Sequence, residues 1–253
     1  MIHWNGTLMI VALLIAAAAS VILTVQPQAS LAQEGGDLCG ETITGNIELE
    51  FDMTCEGDGI TVEGNDLTIF MNGFTIRGPG SDTNTTGISV EEGIQVRIRG
   101  PGMVTGFGTG VEYSGATGGA MRDVYVRDNG IGALLDDSTD THVKQDHFSD
   151  NRIGVLNRAS INTEVENVIM SRSDEGIRLE DSSDVDLDFI ILMDSGAGIY
   201  LDEESLDNEV FYNIMFRNEG TDVTFANPGE GASSNTFGNN DCTRSVPAEI
   251  CTT

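Results

Sequence analysis

"DNGIGALLDDSTDTHVKQDHFSDNRIGVLNRASINTEVENVIMSRSDEGIRLE" spans residues 128–180. Its glycines at 132, 154 and 176 are 22 residues apart, and the spacing extends to Gly110, Gly198 and Gly220. The residue after each is Val111, Ala133, Val155, Ile177, Ile199 and Thr221. Sixteen residues after five of the glycines stand Val126, Phe148, Met170, Leu192 and Ile214. Three residues before five of them stand Asn129, Asn151, Ser173, Ser195 and Arg217. Self-similarity at a period in this range is the mark of a solenoid. Apolar residues alternate with polar ones, as in Ile177, Leu179, Val185, Leu187 and Phe189, which is strand periodicity. Helical repeats of comparable kind need longer units, and the leucine-rich skeleton is absent.

Twenty-two residues suit one β-helical coil of two or three short strands. Coils then stack at about 4.8 Å, and about seven or eight of them give a stack on the order of 35 Å long. The Asn/Ser column implies inward polar side chains that hydrogen-bond from coil to coil. The glycine column is read as a bend without steric cost.

Working outward, "CGETITGNIELEFDMTCEGDGITVEGNDLTIFMNGFTIRG" (39–78) precedes the regular units. Together with "LTIFMNGFTIRGPG", "DNGIG" and "DNRIG", it resembles extracellular right-handed parallel β-helix repeat proteins. The resemblance covers nearly all of the chain after the leader. It implies an all-β, single-stranded right-handed parallel β-helix with disulfide-braced end caps. It says little about function, since the family spans pectate lyases, polygalacturonases, alginate epimerases, copper-enzyme maturation proteins and surface proteins without assigned roles.

Residues 8–23, "LMIVALLIAAAASVIL", are apolar or small, and no charged Lys, Arg, Asp or Glu precedes Glu34. With Ser30-Leu31-Ala32 behind it, this segment (1–32) reads as a secretory signal peptide cut after Ala32, or as a retained membrane anchor. Residues 33–58 are expected to cap one end, 59–221 to form the coils, and 222–253 to cap the other end. Cys39 and Cys55 lie near one end, Cys242 and Cys251 near the other. Four cysteines allow three pairings, and local pairing within each couple is the economical one. Each bridge would contribute about 2–3 kcal/mol in the loop-entropy model. Asn84-Thr85-Thr86 is an N-glycosylation sequon on an expected exposed loop.

Forty-one acidic residues face twelve basic ones, a net charge of −29. Such a surface repels nucleic acid and anionic membranes and attracts cations. Stacking columns on the 22-residue register places His142, Glu164, Asp186 and Asn208 ten residues after successive glycines. Lys144, Glu166, Asp188 and Val210 stand twelve after them. Glu164, Glu166, Asp186 and Asp188 therefore form a candidate Ca²⁺ cluster. The competing reading is a hydrated acidic face, with Arg178 and Lys144 expected nearby to share its charge. His142 and His147 offer too few nitrogen donors for copper or zinc. Met170 is expected in the core, with Met193 and Met215 partly exposed. Asp136-Asp137 matches one polygalacturonase element, but Gly-His-Gly and Arg-Ile-Lys are absent. One Trp and four Tyr leave little aromatic platform for saccharides. The residues thus point to a secreted or cell-surface, non-enzymatic structural or binding protein. Its partners would be polysaccharide, cations or other surface proteins. A polysaccharide lyase or epimerase on the same scaffold is the alternative.

Overall fold

A computed structural model describes residues 38–226 and 234–251. The expected leader at 1–32 lies outside the described residues. Among those described, no helix is long and apolar enough to cross a membrane. Every strand pairing is parallel, and the chain winds as a right-handed β-helix of about nine turns, slightly more than the repeat count suggests. One face is a ten-stranded sheet running from Glu41–Ile43 to Ser245–Val246; the remaining strands form a fifteen-stranded sheet. The parallel stack thus reaches into both end segments.

The inward columns explain the period. Val111, Ala133, Val155, Ile177 and Ile199 lie one above another in register, and all are buried. Val126, Phe148, Met170 and Leu192 form a second buried column. Each fully buried side chain of this size contributes about 1.5–3 kcal/mol of burial free energy. Both disulfides pair locally, Cys39 with Cys55 and Cys242 with Cys251, at opposite ends of the stack. An open parallel stack exposes unpaired strand edges at its ends, and bracing them limits fraying.

The glycine column has a different cause from the expected bend. A Cβ on Gly132 would stand 2.5 Å from the Gly154 carbonyl oxygen, and one on Gly154 would stand 2.5 Å from that of Gly176. Backbones of successive coils approach too closely there for any side chain. The bends are made instead by left-handed residues, largely Asp and Asn, such as Asp128, Asp150, Asn162 and Asn167. Asp and Asn tolerate that conformation better than other L-residues. Part of the acidic composition is therefore turn chemistry. Gly154→Ala is expected to cost at least about 2 kcal/mol, because backbone must shift against backbone. Gly45, with nothing within 4 Å of its Cβ position, is the control. Urea unfolding with equal stability for Gly154→Ala and Gly45→Ala would remove close approach as the reason.

The 22-residue register fails after Leu201, and the cause is local. Leu179 pairs with Leu201 at the expected spacing, but Ser183 pairs with Leu206 and Leu192 with Met215, 23 residues on. The turn Asp202-Glu203-Glu204 holds one extra residue. Asp202 secures it by accepting from the Ser205 backbone N–H at 2.9 Å and from its hydroxyl at 2.6 Å. Consequently Met215, expected partly exposed, is buried, and Ile214, expected in the core column, is 43% exposed. A second extra residue follows, so Ile199 stacks on Val223 instead of Thr221. Asn218, not Arg217, continues the Asn/Ser column, accepting from the Ser195 N–H at 3.0 Å.

That polar column is a buried hydrogen-bond ladder. Asn151 Oδ1 accepts from the Asn129 N–H at 3.0 Å and from its side-chain amide at 3.2 Å. Asn151 Nδ2 donates to the Val126 carbonyl at 3.0 Å. A parallel column holds Asn213, whose amide donates to the Leu187 carbonyl at 2.8 Å, and Asn240 one coil on.

Candidate ligand-binding face

The strands His142–Lys144, Glu164–Glu166 and Asp186–Asp188 share one register on the fifteen-stranded sheet. Val143, Val165 and Leu187 point inward and are fully buried, so the flanking residues point outward. The four expected carboxylates are therefore neighbours on one face. The register slip alters the next rung. Glu209, not Asn208, pairs with Asp186, and Phe211, not Val210, pairs with Asp188. Asn208 and Val210 are buried.

Extending the same columns backwards changes the character of the face. Ala120 and Arg122 lie beneath His142 and Lys144, and Arg97 and Arg99 lie beneath those. The outward side chains thus run from cationic to anionic along the stack. Arg97, Arg99, Arg122, His142 and Lys144 fill three rungs; Glu164, Glu166, Asp186, Asp188 and Glu209 fill most of the next three.

Lys144 sits at the junction. Its Nζ lies 2.5 Å from Glu164 and 3.2 Å from Glu166, and His142 Nδ1 lies 2.9 Å from Glu164. Burial works against the charge on Glu164, but the Lys144 ammonium and His142 outweigh it and hold that carboxyl below its usual range. Among the described residues neither Asp186 nor Asp188 is in an ion pair, and Lys144 offsets only a small part of the repulsion at Asp186. Burial, then repulsion from neighbouring carboxylates, pushes both above the usual range. Arg178, expected nearby, belongs to the other sheet, where it binds Glu175 and Glu180 at 2.5 and 3.3 Å. Among the described residues no group of three or more His, Cys, Asp or Glu side chains converges as a metal site.

Two aromatic pairs flank these columns. Tyr125 stacks on His147 with ring centroids 4.8 Å apart and planes 14° off parallel. Phe189 stacks on Tyr212 at 5.3 Å, and both are half exposed. Asn84 is exposed, as its sequon requires. The cationic rungs, Glu209 and the Phe189–Tyr212 pair were missed in the sequence. The first was visible in principle, because Ala120 and Arg122 stand 22 residues before His142 and Lys144.

Residues 39–244 match the family described as "Periplasmic copper-binding protein (NosD)". The chain belongs to the NosD family. No curated protein matches it. Among solved structures, this NosD-family chain is similar to the enzymatically active domain of tailspike protein 2 of bacteriophage CBA120. Identity there is 14% over 81% of this chain and 42% of that one, with a TM-score of 0.54. The tailspike protein of E. coli bacteriophage HK620, a double mutant in complex with a pentasaccharide, is 11% identical. That match covers 80% and 51% of the two chains, with a TM-score of 0.57. DFA-IIIase from Arthrobacter chlorophenolicus A6, without its lid, is 10% identical over 79% and 67%, with a TM-score of 0.53. The chain spans only about half the length of the tailspikes it matches. At these identities the likeness shows the fold alone.

Proposed function

We propose that this NosD-family β-helix is a non-catalytic binding protein of the cell envelope or exterior, whose charge-divided face receives its ligand. The observation that carries this reading is the order of outward side chains: cationic rungs, a Lys144 junction, then anionic rungs. Coil stacking needs only the inward residues, so the outward order is free to serve recognition. The periplasmic description of the family supports a location outside the cytoplasm.

Copper, named in the family description, finds no matching donor set among the described residues. All four cysteines are in disulfides. His142 is held by Glu164 and His147 by Tyr125. Met53, Met71, Met121, Met170 and Met215 are buried in the core. Copper needs several converging soft or imidazole ligands, and these do not converge.

The Ca²⁺ reading of Glu164, Glu166, Asp186 and Asp188 narrows. Lys144 already pairs with both glutamates and offsets one of their two charges, so cation attraction falls mainly to Asp186, Asp188 and Glu209. Millimolar Ca²⁺ is expected to raise the melting temperature, and Asp186→Asn with Asp188→Asn to remove the rise. An identical shift in wild type and the double variant would dismiss the site.

A second reading, lyase or epimerase, is favoured by one observation. Asp188 has its pKa raised and a buried Oδ1 without a hydrogen-bond partner, as an acid catalyst would. Affinity electrophoresis through gels cast with different polysaccharides tests the binding reading. Retarded migration in at least one gel is expected; unchanged mobility in all of them would refute it.

A further inference from the structure

The chain has only twelve Lys and Arg residues, yet Arg97, Arg99, Arg122 and Lys144 occupy three consecutive rungs of one face. Arg122 lies in register with Arg99 on one side and Lys144 on the other. Like charges directly opposite on adjacent strands repel. A chain with 41 acidic residues had ample means to relieve that repulsion. Relief is incomplete. Lys144 pairs with Glu164 and Glu166, and Arg122 stands 3.7 Å from Asp123 and donates to Gln145 at 2.5 Å. Among the described residues Arg97 donates only to Gln95. The Arg99 side chain is exposed and makes no hydrogen bond or ion pair among the described residues.

A groove of about 170 Å³ lies among these side chains. Arg97, Arg99, Ala120, Arg122, His142 and Lys144 line it. Ala120 creates it: in the column Arg97–Ala120–His142 the middle side chain is a single methyl between two long ones. Farther along the strand that carries Ala120 and Arg122 stands Tyr125, 49% exposed and stacked on His147. An exposed flat ring with a polar tip suits a surface that is part apolar and part wet, as a sugar ring is.

We infer that this groove binds the oxyanion groups, carboxylate or sulfate, of an acidic saccharide. The inference rests on the binding reading above and names its ligand class. Arginine guanidinium groups take carboxylates and tetrahedral oxyanions bidentately, which gives both strength and orientation. Glu164, Glu166, Asp186 and Asp188 repel the same groups, so the ligand is confined to the cationic half. The net charge of −29 opposes approach from a distance. At about 1 M salt the screening length shrinks to about 3 Å, which removes that long-range term and leaves direct contacts less affected.

Calorimetric titration of the full chain at low and high salt tests this. The ligands are a uronate oligosaccharide, a sulfated oligosaccharide, a neutral oligosaccharide and inorganic sulfate. One anionic oligosaccharide should bind, and the preferred one identifies the oxyanion. Arg99→Gln and Arg122→Gln should each weaken it at least tenfold, and Arg172→Gln, in an exposed turn of other coils, should not. Melting curves of the variants should match wild type. Binding that survives both substitutions, or wild-type binding to the neutral oligosaccharide alone, overturns the groove while the broader binding reading stands. Equal affinity for inorganic sulfate overturns the saccharide assignment. So does a salt-sensitive dimer that depends on the same arginines, which would give the groove to the acidic rungs of a second copy.

Discussion

Asn151→Ala is expected to lower the unfolding free energy by about 3–5 kcal/mol, a large effect for one polar side chain. Asn151 is 3% exposed and links two neighbouring coils. Its loss strands the Asn129 N–H, removes one of the two bonds of the Asn129 side-chain amide, which keeps the Val104 carbonyl, and takes from the Val126 carbonyl the Nδ2 donor it accepts from. Each buried polar group left without a partner costs about 1–3 kcal/mol. Asn151→Ser should restore part of the loss, since Ser195 in the same column accepts from the Ser173 N–H at 3.3 Å. Equilibrium urea unfolding measures both. A loss below about 1 kcal/mol for Asn151→Ala would mean that the ladder fills space and does not hold the coils.

Asp146→Asn should act in the opposite direction. Asp146 is fully buried in the column that later holds Asn213 and Asn240. Its Oδ1 accepts from the Val124 N–H at 2.7 Å, but Oδ2 has no partner. Where asparagine stands in that column, the second side-chain atom is an N–H₂ that donates to a carbonyl of the preceding coil. A carboxylate cannot donate; a protonated carboxyl can. Burial accordingly pushes Asp146 well above the usual carboxylate range. The sign follows from linkage. Below about pH 3 the group is protonated in folded and unfolded chains alike and costs nothing. As pH rises through the unfolded value of about 3.9, the unfolded chain ionises first and stability falls until the folded group ionises too. Asp146→Asn removes this loss. It should stabilise by about 1–3 kcal/mol at pH 7, and the gain should vanish near pH 3. A gain independent of pH, or a destabilisation at pH 7, would contradict the account.

How far the residues speak for themselves depends on how local the deciding feature is. Gly132, Gly154 and Gly176 announce the coil, and the alternation around Val143, Val165 and Leu187 announces which side chains face out. Both signals repeat, so each coil corroborates the next. The single extra residue in the Asp202–Ser205 turn does not repeat. It moves Met215 inward and Ile214 outward, because a one-residue slip in a strand exchanges its faces. That turn shows itself in the 23-residue pairings that follow it and in its Asp202 hydrogen bonds. The role of the glycines was equally hidden: close approach between coils and a bend use the same residue type. Arg178 was misplaced because a residue's column does not by itself say which sheet the column belongs to. Asp146 interrupts a column of Asn and Val once, with no repeat to mark it as buried.

The charge-divided face is the part of the structure that bears on function, and its central claim is recognition without turnover. A time course by ¹H NMR, with stoichiometric protein and defined oligosaccharides, measures both at once. Broadening of sugar signals at the first time point, with no new anomeric or alkenyl protons after days of incubation, is the predicted result. New reducing-end anomeric protons, or the alkenyl proton of an eliminated uronate, would show that this face does chemistry and would replace the binding account with the enzymatic one.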